Sequence, residues 1–207
     1  DGLYYDFQGV GEFILLKSLT DGLEIQTRQA PWGNRTDVSL NSGVAMRVGR
    51  DRVAIYTGQE KILYINGSSV DLEDTRVLDG GEITLSSGRY TVKWQDGSSA
   101  TVSFRSTFIE INILLRPERA NQVQGLLGDF NGQRLNDLST QDGNVLESPL
   151  SFEELYRVYG NSWRITQEES LFDYFGEAAE LGTVYYTDLN FPRTVATVPP
   201  GERAAAE

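Results

Sequence analysis

Along the first 115 positions, apolar residues fall in short runs, and several of these alternate with polar residues at every second position. Leu23-Glu24-Ile25-Gln26 does so, as does Ile109-Glu110-Ile111-Asn112-Ile113. A period of two puts one face of an extended chain in a core and the other in water, as in antiparallel sheets. The pattern predicts strands at Glu12–Leu19, Leu23–Gln29, Val38–Leu40, Ala45–Val48, Val53–Tyr56, Ile62–Ile65, Val70–Leu72, Ile83–Leu85, Tyr90–Trp94, Thr101–Phe104 and Phe108–Leu114. Turn dipeptides separate them: Asp21-Gly22, Asn66-Gly67, Gly80-Gly81 and Asp96-Gly97. Strands at this spacing, with no helical pattern between them, predict an all-β fold, an antiparallel β-sandwich.

After Leu115 the pattern changes. Arg116–Val123 is expected to form a short helix with Pro117 in its first turn. Gly125–Leu138 is rich in Gly, Asp and Asn and reads as a loop. Ser151 suits a helix N-cap, with Glu154 three residues on as its capping-box partner; Leu155 and Val158 or Tyr159 supply an inward stripe, and Gly160 is the expected stop. One or two short helices are therefore expected near the C-terminal end of a domain over residues 1–166, which Trp163 and Ile165 close. Residues 167–207 read as an extension. Its segments Ser170–Tyr174 and Val184–Phe191 carry aromatics able to pack back on the domain, Pro192 and Pro199-Pro200 break the chain, and Gly201–Glu207 reads as a linker.

Composition narrows the chemistry. The chain has neither cysteine nor histidine. That removes disulfides, Ser-His-Asp and Cys-His nucleophile systems, and the usual ligands of zinc, copper and iron. A metal here must be held by oxygen, which means calcium or magnesium. The net charge of -12 repels phosphate backbones, so nucleic acid is not an expected partner. No apolar run reaches membrane-spanning length, so membrane insertion is not expected.

The loop Gly125–Leu138 concentrates the oxygens. Asp129, Asn131, Asn136 and Asp137 lie within nine residues, with Gly128 and Gly132 to bend the backbone between them. Alternate residues of a curled loop can aim oxygens inward, and the Gln133 carbonyl can join them. By spacing alone an ordinary surface turn accounts for the same residues. The segment is not an EF-hand, because its glycine and terminal acid are misplaced.

Gly125-Leu126-Leu127-Gly128-Asp129-Phe130-Asn131-Gly132, followed by Asn136-Asp137, resembles the signature of the von Willebrand factor type D domain. Asp1-Gly2-Leu3-Tyr4-Tyr5-Asp6-Phe7-Gln8-Gly9 is similar to the opening of that family, and Gly11–Leu16 to the strand after it. Ala45–Val48, Tyr90–Trp94 and Ser162–Ile165 resemble its central strands and closing stretch, and Ser170–Tyr174 resembles the region that follows it in multidomain surface proteins. The resemblance covers residues 1 to about 166. It implies a sandwich of antiparallel sheets holding Ca2+ near its loops, with ligands at Asp1, Asp129, Asn131, the Gln133 carbonyl, Asn136 and Asp137. Familiar animal members are dense in disulfides, so this chain looks more like cysteine-free versions from bacterial surface proteins. Some relatives cleave themselves at an upstream Gly-Asp-Pro-His motif, which these 207 residues lack.

The expected function is a calcium-binding structural or adhesive module of a larger secreted or cell-surface protein, with no catalytic activity. Expected partners are other domains of the same protein, extracellular proteins or a second copy. The alternative is a carbohydrate-binding module using Trp32, Trp94 and Trp163 as a stacking platform, although core packing also explains tryptophans beside strands. A carboxylate hydrolase built on Glu153-Glu154, or the product of a self-cleaving precursor, ranks third. Asp71, Glu73, Asp74 and Asp79 suit a solvated acidic loop better than a second cation site, and the sequons at Asn34 and Asn66 are of a kind that arises by chance.

Overall fold

The computed structural model describes residues 2–172 and 187–194. Twelve strands form two antiparallel sheets. The seven-stranded sheet contains β1 (Gly11–Ser18), β2 (Glu24–Pro31), β3 (Ser39–Val48), β4 (Asp51–Tyr56), β5 (Leu63–Ile65), β6 (Ser68–Ser69) and β12 (Val123–Gln124), in the order β12-β1-β2-β3-β4-β5-β6. The five-stranded sheet contains β7 (Thr75–Leu78), β8 (Gly81–Ser86), β9 (Arg89–Trp94), β10 (Ser99–Phe104) and β11 (Ile109–Leu114), in the order β11-β10-β9-β8-β7. Neighbours in each sheet are mostly consecutive in the chain, as expected when tight turns connect them. Asn66 and Gly67 turn the β5–β6 hairpin with φ of 52° and 84°, both in the left-handed region that such turns require.

The alternation read from the sequence becomes the sandwich core. Ile25, Val44, Met46, Val53 and Ile55 from the larger sheet meet Ile83, Val92, Ala100, Val102 and Ile109 from the smaller one, all fully buried. Each such side chain contributes about 1.5–3 kcal/mol of transfer free energy relative to exposure. Trp94 adds a polar tie by donating its Nε1–H to the Arg47 carbonyl at 2.9 Å. At one end of the sandwich the buried Arg119 joins the β1–β2 and β9–β10 turns. It pairs with Asp21 at 2.8 Å and with Asp96 at 2.5 Å.

Three expectations change. The expected strands at Val38–Leu40 and Ala45–Val48 merge into β3, which starts at Ser39 and runs through the polar residues Asn41 and Ser42 while β2 pairs along it. Val70–Leu72 is not a strand, and β7 lies further on at Thr75–Leu78, whose exposed Val77 and buried Leu78 do not alternate with the polar residues before them at every second position. Arg116–Val123 yields only a single 3₁₀ turn over Pro117–Arg119, and Val123 then pairs with Ser18 as part of β12. Backbone pairing with β1 satisfies that segment better than a helix too short to propagate.

The helix near the C-terminal end, α1, spans residues 152–162. The capping box forms as expected. Ser151 Oγ accepts the Glu154 N–H at 3.2 Å, and Glu154 accepts the Ser151 N–H at 2.8 Å. The helix does not stop at Gly160. It widens over Glu154–Tyr159, where the Gly160 N–H reaches the Leu155 carbonyl five residues back, and continues through Gly160–Ser162. Glycine serves close packing here, since a Cβ at Gly160 would collide with the Phe7 ring.

Two further apolar clusters flank the main core. One gathers Phe13, Ile14, Leu126, Leu138, Tyr159 and Trp163, and so fixes the Gly-Asp-Asn loop and α1 against β1. The other lies on the outer face of the larger sheet, where Leu171 and Phe172 cover Ala45, Ala54, Tyr56 and Tyr64. Phe191 is also buried. Asp173, Tyr174 and Val184–Tyr186 lie outside the described residues.

Candidate metal centre

The Gly125–Leu138 loop starts as an extension of the sheet. Leu126 and Leu127 donate their N–H groups to the Ile14 and Leu15 carbonyls at 3.1 and 3.2 Å. The Leu126 carbonyl accepts two phenols in return, from Tyr5 and from Tyr159, the latter at 3.0 Å. Burial pushes the Tyr5 phenol up to about 12 and raises that of Tyr159 as well, so both remain donors at neutral pH. Beyond this anchor the loop curls. Gly128, Phe130 and Gly132 take φ of 82°, 58° and 80°, three left-handed residues at alternate positions. Phe130 does so at a cost of order 1–3 kcal/mol, the kind of local strain that surrounding structure must hold in place.

The curl wraps around Asp129. Its Oδ2 accepts the amide N–H groups of Asn131 at 2.8 Å and Asn136 at 2.6 Å, and its Oδ1 accepts the Asn131 backbone N–H at 3.2 Å. A single 3₁₀ turn over Arg134–Asn136 brings Asn136 back to Asp129. Gln133 joins through its N–H, which goes to Asn131 Oδ1 at 2.6 Å. Asp137 closes the group. Its carboxylate is so near Gly128 that a Cβ there would sit 2.5 Å from Oδ1.

Thus Asp129, Asn131, Gln133, Asn136 and Asp137 converge. Asp1 lies outside the described residues. The adjoining Gly2 passes the Arg134 guanidinium, 3.2 Å from a Cβ built at Gly2, so the start of the chain runs beside the loop.

Two oxygens in this cluster are anomalous. Asn136 Oδ1 and Asp137 Oδ1 are buried and have no hydrogen-bond donor. Buried polar atoms are nearly always partnered, and leaving one unpaired costs about 1–3 kcal/mol. Burial, with the charge of Asp129 adding to it, raises the Asp137 pKa above the ordinary carboxylate value. The amide N–H groups of Asn131 and Asn136 crowd the Asp129 carboxylate. A half turn of the Asn136 amide would present its oxygen instead, whereas the Asn131 oxygen is held by the Gln133 N–H. The adjoining cleft holds about 200 Å³ and is lined by Gly128, Asp129, Asn136, Asp137, Thr140 and Trp163. The donor set is hard oxygen throughout, which suits calcium.

No group of three or more His, Cys, Asp or Glu gathers among the described residues. The loop brings two carboxylates, and amide and carbonyl oxygens would have to complete any shell. The acidic stretch does not converge: Asp71 pairs with Lys61 and Asp79 with Arg50, both at 2.8 Å. Asn66 is engaged in the β5–β6 turn, where it accepts the Arg52 N–H and donates to Asp51. Glu154 belongs to the capping box. Trp94 and Trp163 are buried, whereas Trp32 is 37% exposed with Arg35 over its ring, so the three tryptophans share no face.

The family model for the von Willebrand factor type D domain matches residues 1–144, the span that holds both sheets and the whole loop. The chain belongs to this family. Similar proteins include human Sushi domain-containing protein 2, 27% identical over 186 residues, which covers 84% of this chain and 22% of that protein. Chicken SCO-spondin is 27% identical over 80% of this chain and 3% of its own length. Mouse Mucin-2 is 27% identical over 79% of this chain and 3% of its own length. This type D domain therefore spans less than a quarter of the curated relatives named here.

Several residues that build the loop in this type D domain escaped the motif. Tyr5 and Tyr159 anchor it from 121 and 33 residues away in the chain. Trp163 donates its Nε1–H to the Ser139 carbonyl at 3.0 Å. Aromatic residues near strands and helices read as core, and nothing in their spacing points to one carbonyl.

Proposed function

We propose that this type D domain is a calcium-binding structural or adhesive module of a larger extracellular protein, and not an enzyme. The observation that carries the reading is the pair of buried, donorless oxygens on Asn136 and Asp137, beside the Asp129 carboxylate. A divalent cation offset by these charges would remove both anomalies at once. Asp129 and Asp137 would supply charge, Asn131 and Asn136 amide oxygens, and Gln133 its carbonyl. The ion would add rigidity to the loop and oppose the repulsion between the two carboxylates. The extracellular and adhesive assignment rests on family membership and on relatives that include a mucin, SCO-spondin and a protein named zonadhesin.

The test is a calcium titration of the purified chain, followed by thermal unfolding. An unfolded chain has no preformed site, so a ligand at 100 times its Kd adds about 2.7 kcal/mol. For a domain of this size that corresponds to a Tm rise of roughly 5–11 °C. Asp129→Ala and Asp137→Asn are expected to abolish the rise. An unchanged melting curve between excess calcium and excess chelator would refute the calcium assignment.

A further inference from the structure

The outer face of the larger sheet is built in an unusual way for a surface. Two cross-strand rows run over it: Glu12–Arg28–Gly43–Tyr56, and Gln26–Ala45–Ala54–Tyr64. Small residues at Gly43, Ala45 and Ala54 make a shallow floor between polar side chains on one side and two tyrosines on the other. Glu12 and Gln26 are fully buried, and Arg28 is nearly so. An outer sheet face with a buried carboxylate must be covered by something that answers its charges.

The cover is Glu169–Phe172. Ser170 Oγ donates to Glu12 Oε2 at 2.5 Å. The Leu171 N–H goes to Gln26 Oε1 at 2.7 Å, and Gln26 Nε2 donates to the Glu169 carbonyl at 3.0 Å. Gln26 thus reads the peptide backbone in both directions, as a neighbouring strand would. Phe172 fills the floor, with the Arg28 guanidinium 4.6 Å from its ring centroid and the Tyr56 ring at 5.8 Å. Gly43 suits this fit, because a Cβ there would come to 3.0 Å from the Phe172 ring and press on it.

We propose that this face is a recognition site for a Glu-Ser-Leu-Phe peptide, whose occupant is the chain's own Glu169–Phe172. It acts as a clasp that fastens the segment after Ile165 to the outer face of the larger sheet, while Asp188, further along the chain, pairs with Val10. The backbone contacts of Gln26 give affinity for an extended peptide. The Glu12–Arg28 pair selects a hydroxyl, and the Gly43 floor selects an aromatic ring. The clasp is independent of the calcium loop.

The test uses full-length variants and a labelled peptide of residues 166–172. Phe172→Ala is expected to vacate the floor and bind the peptide, detected by fluorescence anisotropy. The wild-type chain, its site filled from within, is expected to bind at least tenfold more weakly. Gly43→Val blocks the floor while keeping Phe172. It is expected to raise hydrogen exchange at the Leu171 amide at least tenfold and to bind no peptide in either background. The proposal is overturned if Phe172→Ala binds no more peptide than wild type, or if Leu171 stays equally protected in Gly43→Val. A concentration-dependent dimer lost in Phe172→Ala would overturn the intrachain assignment in favour of exchange between copies.

Discussion

Gly128 and Gly132 form a matched pair, and replacing each by alanine isolates one contact in the Asp129 loop. Their φ angles are 82° and 80°, so alanine incurs the same left-handed penalty at both, about 1–2 kcal/mol. Their surroundings differ. A Cβ at Gly132 has nothing within 4 Å, whereas a Cβ at Gly128 would sit 2.5 Å from Asp137 Oδ1. Asp137 is only 6% exposed and has little room to retreat. Overpacking of this kind adds about 1–3 kcal/mol. Gly132→Ala should therefore cost about 1–2 kcal/mol and Gly128→Ala about 2–5 kcal/mol. The difference between them corresponds to a Tm gap of roughly 2–12 °C. Urea unfolding in chelator, repeated in excess calcium, measures both the cost and the calcium response. Gly128→Ala should also lose most of the calcium gain, because Asp137 must move away from Asp129, while Gly132→Ala keeps more of it. Equal stability losses in the two variants would refute the claim that Asp137 is held against Gly128.

Further outcomes follow from the charged and aromatic groups. The folded state holds the Asp137 proton more tightly than the unfolded state. Its contribution in chelator therefore becomes less favourable as pH rises from the ordinary 3.8 through its raised value, and calcium affinity should fall as pH drops through that window, measured by calorimetry at stepped pH. Asp21 behaves oppositely. The Arg119 guanidinium bonded to it lowers its pKa from 3.8 to about 2, so its stabilisation is complete above pH 3.8 and disappears as pH falls toward 2. Arg119→Met should flatten that part of the pH–stability curve and cost about 1–2 kcal/mol, less than a fully buried pair because Asp21 and Asp96 can turn to water. Tyr159→Phe removes one of two donors to the Leu126 carbonyl and should cost about 0.5–1.5 kcal/mol, with a weaker calcium response as the loop loses an anchor. Trp163→Ala should cost about 3–5 kcal/mol by urea unfolding, since it empties a fully buried indole site between loop and helix.

How much could be read from the chain alone depended on the range of the interactions involved. Period-two alternation is written residue by residue, so most strands, the antiparallel class and the Ser151–Glu154 capping box were legible before any coordinates. The residues of the Asp129 loop were legible too, because glycine and short oxygen-bearing side chains at fixed spacing are local features. What the sequence could not determine is set by partners distant in the chain. Val123 became a strand residue because the β1 edge was there to pair with it, and Gly160 stayed helical because Phe7 needed the space. Tyr5 and Tyr159 met at one carbonyl only after the sheets had closed. Two oxygens on neighbouring residues were left buried and donorless, which no local pattern encodes. Hydrophobic periodicity chooses which face is inside. Only tertiary packing decides which polar atoms are shut in with it, and those atoms define the Asp129 loop and the clasp.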